Sequence, residues 1–126
     1  MSVADKHPAG SPLRWWGIRL PFYNLALAFS GAAAFCCYLL AIALFRPDLA
    51  NDPEFDPGGI AVLMQAVGFC FAMILANACY LALGPGLETL LRPARPTPYR
   101  IVLFCAGTAF SVSLPFGIPL LVAIGL

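Results

Sequence analysis

The chain is 126 residues long, 61% hydrophobic and only 10% charged, with a formal net charge of +1. Soluble domains carry about 25% charged residues, and a chain this short buries too small a share of its surface to hide so much apolar area from water. An ordinary soluble domain is therefore excluded, and no nucleic-acid partner is expected.

Three runs free of Asp, Glu, Lys, Arg and His fill most of the length: Phe22 to Phe45, Ile60 to Leu83 and Ile101 to Leu126. Each reaches the roughly 20 residues a helix needs to cross the hydrocarbon core. The expected fold class is all-α, an integral membrane protein with three transmembrane helices and the lipid bilayer as its first partner.

Residues 1–21 read as an N-terminal tail followed by an interfacial segment. Trp15, Trp16, Phe22 and Tyr23 stand beside Arg14 and Arg19, and amphipathic rings favour the headgroup level. Pro21 suits the first turn of a helix, where a missing N–H costs nothing. The first span covers 22–45. It is longer than the roughly 7–15 residues of a signal-peptide core and ends in Arg46-Pro47-Asp48 rather than a small-residue cleavage site. An uncleaved span is expected.

Residues 46–59 form the first loop, with three prolines, two glycines and four acids (Asp48, Asp52, Glu54, Asp56) against Arg46. Its alternating acids resemble a calcium loop only superficially. The glycine and glutamate required at the sixth and twelfth positions are replaced by Pro57 and Leu63. The second span covers 60–84. Residues 85–100 form a proline-rich connection bearing Arg92, Arg95 and Arg100 against Glu88. Glu88 and Arg92, four apart, are expected to make a surface ion pair of little energetic weight.

The third span covers 101–126 and contains Pro115, Gly117 and Pro119. Proline removes a helical hydrogen bond and clashes with the carbonyl four residues back, which predicts a kink near Ser111. Ile101 to Leu114 alone is about 21 Å of helix, too short to cross. One long kinked span is favoured over a re-entrant hairpin, whose non-helical backbone would face lipid.

Small residues let membrane helices approach closely. Ala26, Ser30 and Ala34 mark such a face on the first span. Gln65, Gly68, Ala72, Ala76 and Cys79 mark one on the second, and Gly107, Thr108, Ser111 and Pro115 one on the third. Asn24, Gln65 and Asn77 are the amides in or beside the spans. An amide in hydrocarbon needs a hydrogen-bond partner, so interhelical bonds are expected rather than a lined substrate path, because no intramembrane charge accompanies them.

Cys36, Cys37, Cys70, Cys79 and Cys105 all lie in the apolar runs and read as small apolar packing residues. Cys36, Cys37 and Cys70 fall at similar depth, so convergence of three thiols on a soft ion such as Cu(I) is conceivable chemistry. No cofactor is implied. His7 is the sole histidine, and no nucleophile–base pair can be assembled from the spans, so an enzyme is not expected.

Pro21-Phe-Tyr-Asn-Leu25 and Ala76-Asn-Ala-Cys-Tyr-Leu-Ala-Leu-Gly-Pro-Gly-Leu-Glu88 resemble a group of uncharacterised small bacterial multi-span proteins that pair a Tyr-Asn entry with an Asn-x-x-Tyr-x-x-Gly-x-x-x-Glu exit. The resemblance implies no activity or ligand. It draws attention to Asn24, Asn77, Tyr80, Gly84 and Glu88, of which Asn77, Tyr80 and Gly84 share a helical face. An interfacial hydrogen-bonded clasp between the first two spans is expected there. The function expected is a non-catalytic helper or structural subunit that packs with copies of itself or with a larger membrane protein. An oligomeric small-solute transporter or channel is the alternative.

Lys6, Arg14, Arg19, Arg92, Arg95 and Arg100 fall on one side of a three-span chain and Arg46 on the other. The cytoplasmic side attracts Lys and Arg, which predicts a multi-pass protein of the bacterial inner membrane with N-terminus and second loop inside and C-terminus outside. A reporter active only in the cytoplasm should work when fused after Arg95 and stay silent when fused after Leu126. The reverse pattern would refute the orientation.

Overall fold

The computed structural model of the protein describes residues 10–55 and 58–125. Lys6, His7, Asp56 and Leu126 lie outside them. The elements in order are helix α1 (Pro12–Phe45), α2 (Pro47–Ala50), α3 (Gly59–Leu81), a π-turn (Ala82–Gly86), α4 (Leu87–Leu91), α5 (Pro96–Ser113), a 3-10 turn (Leu114–Phe116) and α6 (Gly117–Ala123). No strand occurs among the described residues. Three continuous helical stretches are long and apolar enough to cross a membrane: Pro12–Phe45, Val62–Leu91 and Pro96–Ala123.

The helices begin earlier and run longer than the apolar runs. Helix α1 starts at Pro12, and Pro21 sits inside it, not in its first turn. Packing is the reason: Trp16 is only 2% exposed and Tyr23 3%, so the turns around Pro21 are held from both sides by buried aromatic side chains. Burial of this kind outweighs one absent backbone bond.

The second stretch also passes its expected end. The connection is expected to begin at residue 85, yet Ala82–Gly86 is wound as a π-turn and the helix goes on to Leu91. The Leu87 N–H reaches the Ala82 carbonyl, five residues back. Proline's ring clashes with the carbonyl four residues earlier in an α-helix, and the wider i→i+5 winding makes room for Pro85 without breaking the rod. The true connection is therefore short, Arg92 to Arg95. The third stretch is one rod with a local tightening into 3-10 winding at Leu114–Phe116, where Pro115 lies. Leu114, Phe116 and Gly117 all keep right-handed helical angles, so the chain does not turn back as a re-entrant hairpin would.

Side-chain contacts set the relative directions. Along α1, Trp15 meets Phe104, Tyr23 meets Ser111 and Ser30 meets Val112, so the first and third stretches run parallel. Trp16 meets Tyr80, and Asn24 meets Asn77, so the second runs antiparallel to the first. Arg14, Arg19, Arg92, Arg95 and Arg100 thus gather at one end, called here the basic end. The opposite end holds Arg46 and the acidic loop. There Arg46 bonds the exposed Asp48 at 3.0 Å, and this hydrogen bond holds the Asp48 carboxylate below its ordinary range.

Helix α1 supplies the core. Trp16, Tyr23, Leu27, Ser30, Ala34, Ala41 and Ile42 are buried on it, spaced to keep one stripe inward. Ser30 and Ala34 thus lie on the face expected from their small size. The second stretch contributes little beyond its basic half: from Gly59 to Leu75, among residues whose side chains are described, only Phe69 and Met73 are even partly covered. Gln65, Gly68 and Ala72 face outward.

Two of the described glycines sit against aromatic rings too closely for a side chain. A Cβ at Gly31 would collide with the Phe69 ring, and one at Gly84 would lie 2.8 Å from the Trp16 ring. Phe69 is half-buried and can swing, whereas Trp16 is enclosed. We therefore expect Gly84→Ala to cost about 1–3 kcal/mol through overpacking and to lower the melting temperature in mild detergent. Gly68→Ala, at an open position, should leave it unchanged. Equal melting of the two variants would show that the Trp16–Gly84 contact does not hold the spans together.

Candidate functional site

The basic end contains a charged pair withdrawn from solvent. Glu88 and Arg100 are each 4% exposed. Arg100 Nη2 lies 2.6 Å from Glu88 Oε1, and Arg100 Nε donates to Oε1 at 2.8 Å. Trp16 Nε1–H donates to Glu88 Oε2 at 2.8 Å. Arg100 Nη2 also donates to the Gly10 carbonyl at 3.1 Å. The Glu88 carboxylate thereby ties the second stretch to the first and the third, and its partner Arg100 reaches on to the segment leading into α1.

Helix phase explains why Glu88 turns inward. Eight α-helical residues at 3.6 per turn would leave Glu88 roughly 80° away from Tyr80. Each residue of the π-turn winds roughly 20° less than an α residue, so five of them hold back about 90° and return Glu88 to the Tyr80 face. Gly84 and Pro85 are buried between the two. Gly84 gives the Trp16 ring its seat, and the Trp16 N–H then points at the carboxylate.

Aromatic rings extend the site toward the membrane interior. Trp16 and Tyr80 meet edge to face at 5.4 Å, and Tyr80 and Tyr23 lie 4.6 Å apart with planes tilted by 31°. Phe104 closes against Trp16 and Tyr80 at 6.5 and 6.3 Å. Such pairs add about 0.5–1.5 kcal/mol each beyond their buried area. Each hydroxyl finds a partner: Tyr80 Oη donates to the Trp16 carbonyl at 2.9 Å and Tyr23 Oη to Ser111 Oγ at 2.9 Å. Deeper still, Ser30 Oγ donates to the Val112 carbonyl at 2.6 Å. Outside the rings, the Arg19 guanidinium lies 3.7 Å from the centre of the Trp15 ring.

The amides form a second link between α1 and α3. Asn77 Nδ2 donates to Asn24 Oδ1 at 2.7 Å and to the Met73 carbonyl at 2.8 Å. Asn77 Oδ1, Tyr99 Oη and Thr108 Oγ1 are buried without a hydrogen-bond partner among the described residues.

Of the residues singled out from sequence, Asn24, Asn77, Tyr80 and Glu88 come together at the basic half of the bundle. Gln65 does not: it is exposed on the half of α3 away from the basic end. The Glu88–Arg92 surface pair is corrected. The helix ends at Leu91, and Arg92, whose N–H still bonds the Glu88 carbonyl, takes a left-handed conformation with φ of 46°, so its side chain swings off the line above Glu88, and the carboxylate goes to Arg100. Trp16 and Arg100 were legible only as a belt residue and a loop charge, and no local signal pairs either with a position 72 or 12 residues away. The thiols of Cys36, Cys37 and Cys70 are all exposed, and no group of three metal-ligating side chains occurs among the described residues. The three-thiol copper site is not formed.

Searches against protein-family models, curated proteins and solved structures find no match to this chain.

A buried pair of this kind can do two things: fix the geometry of the helices around it, or change state when its charge is removed. Its partners are all satisfied by the chain itself, so fixing geometry is the chemistry at hand. Removing one member strands the other, at a cost of about 3–5 kcal/mol. We expect Glu88→Gln and Arg100→Gln each to lower thermal stability in detergent sharply, and the double variant to lose less than the two losses added together. Trp16→Phe, which removes the N–H and shrinks the indole to a phenyl ring, should lose about 1.5–3 kcal/mol from the hydrogen bond and more from the space left behind. Additive losses in the double variant would mean that the two side chains do not act as a pair.

Proposed function

We propose that the protein is a non-catalytic integral membrane subunit that packs through its second span against another copy of itself or a larger membrane protein. One observation carries this reading. On the outer half of α3, Gln65 projects outward at the head of a line with Gly68 and Ala72, all exposed, and no side chain of the described residues bonds Gln65. A lone amide facing hydrocarbon costs several kcal/mol on alkane-like scales, and small residues beside it allow a second helix to come close. A helix from outside the chain satisfies both features. Asn24 with Asn77, Tyr23 with Ser111 and Trp16 with Glu88 bond one another across the spans, which supports a packing role over a lined path. This reading puts the basic end at the cytoplasmic face of a bacterial inner membrane and the C-terminal end outside, following the bias of Lys and Arg.

In a variant whose native cysteines are replaced by alanine, Gln65→Cys should form an intermolecular cross-link in membranes under mild oxidation, and Leu44→Cys, exposed on α1, should not. Gly68→Leu should weaken the association, seen as a shift toward the single-chain mass in native mass spectrometry. A single-chain mass for the unaltered protein, with no co-purifying partner, would overturn the proposal. Solute flux through the purified protein in liposomes would favour the transporter reading instead.

A further inference from the structure

Beside the Glu88–Arg100 pair, an open cleft of about 360 Å³ lies between the start of α1 and the Arg92–Arg95 connection. We propose that it holds the headgroup of an anionic phospholipid, with Arg92 as the charge that selects it. The cleft is lined by Pro12, Thr89, Arg92, Pro93 and Pro96 around the buried pair. Its prolines make stiff apolar walls without N–H groups. The charges of Glu88 and Arg100 offset each other at 2.6 Å, and the Thr89 hydroxyl donates to the Pro85 carbonyl. Arg92 is left as the cleft's uncompensated charge. Its side chain is exposed and has neither a hydrogen bond nor an ion pair among the described residues.

Two further observations point to a ligand outside the chain. Arg92 has the one non-glycine backbone with positive φ among the described residues. That region suits glycine, and a long side chain there costs roughly 1–2 kcal/mol, while the turn leaves the guanidinium exposed at the cleft. The surroundings supply the anion's setting as well. Arg14 and Arg95, each within three residues of a lining residue, are also exposed and unpaired among the described residues, and the half-buried Trp15, with the Arg19 guanidinium over its ring, suits headgroup depth. Basic pockets at the ends of membrane helices recognise anionic headgroups in this way. The inference does not rest on the packing role of the second span.

Arg92→Gly tests it, because glycine takes the left-handed conformation freely and should fold at least as well as the parent chain. The protein, purified from vesicles of equal phosphatidylglycerol and phosphatidylcholine, is weighed by native mass spectrometry for retained lipid. We expect phosphatidylglycerol to be retained preferentially, and Arg92→Gly to reduce that preference about fivefold, the effect of one surface arginine. Arg92→Lys should keep most of it, and Arg46→Gln, at the far end, all of it. Equal retention of the two lipids, an unchanged preference in Arg92→Gly, or an equal loss in Arg46→Gln would overturn the proposal. So would displacement of the lipid by inorganic phosphate at matching concentration, which would mark a site for free phosphate.

Discussion

A carboxylate cannot be left alone away from water, and Glu88 is the place where this chain meets that constraint. Moving an isolated carboxylate into a low-dielectric site costs many kcal/mol. The fold answers with a guanidinium, an indole N–H and a precise seat for the indole ring. Those three partners come from three different parts of the chain. Satisfying one group therefore settles how the spans stand relative to each other at the basic end, and the aromatic column from Trp16 to Tyr23 builds on that placement.

The two ends of the molecule are organised differently as a result. At the basic end, ion pair, rings and amides link all three stretches. Toward the opposite end, the first and third stretches stay together through Ser30 and the small residues near it, while α3 parts company with them beyond Phe69. A bundle tied firmly at one end and open at the other has a natural division of labour. The tied end keeps the shape of the single chain, and the open end offers a helix face on which another helix could lie.

Three spans could be read from run length alone, because lipid imposes a minimum on uncharged helical segments. The inward face of α1 was also visible, since Ser30 and Ala34 stand at helical spacing and small residues mark contact. Other features were beyond local pattern. Gly84-Pro85-Gly86 has the composition of a turn, and only the burial of Gly84 against Trp16 shows why winding through it is favourable. Glu88 has an arginine at the ideal helical spacing in Arg92, yet it pairs with Arg100, because the π-turn before it turns Glu88 inward and the left-handed backbone at Arg92 swings that side chain away. Gln65 and the cysteines were read for their chemistry, while their direction depends on how far α3 leans from α1, and side-chain spacing along one helix carries no information about that.

The π-turn has one more implication, for which lengths of chain this protein can tolerate. Between Tyr80 and Glu88 the helix depends on a single surplus residue's worth of winding to bring a charge back to the interior. Adding or removing one amino acid anywhere in that stretch would rotate everything after it by roughly 100°, carrying the carboxylate toward the acyl chains. Related chains that keep the buried pair should therefore vary in the identity of these residues far more readily than in their number.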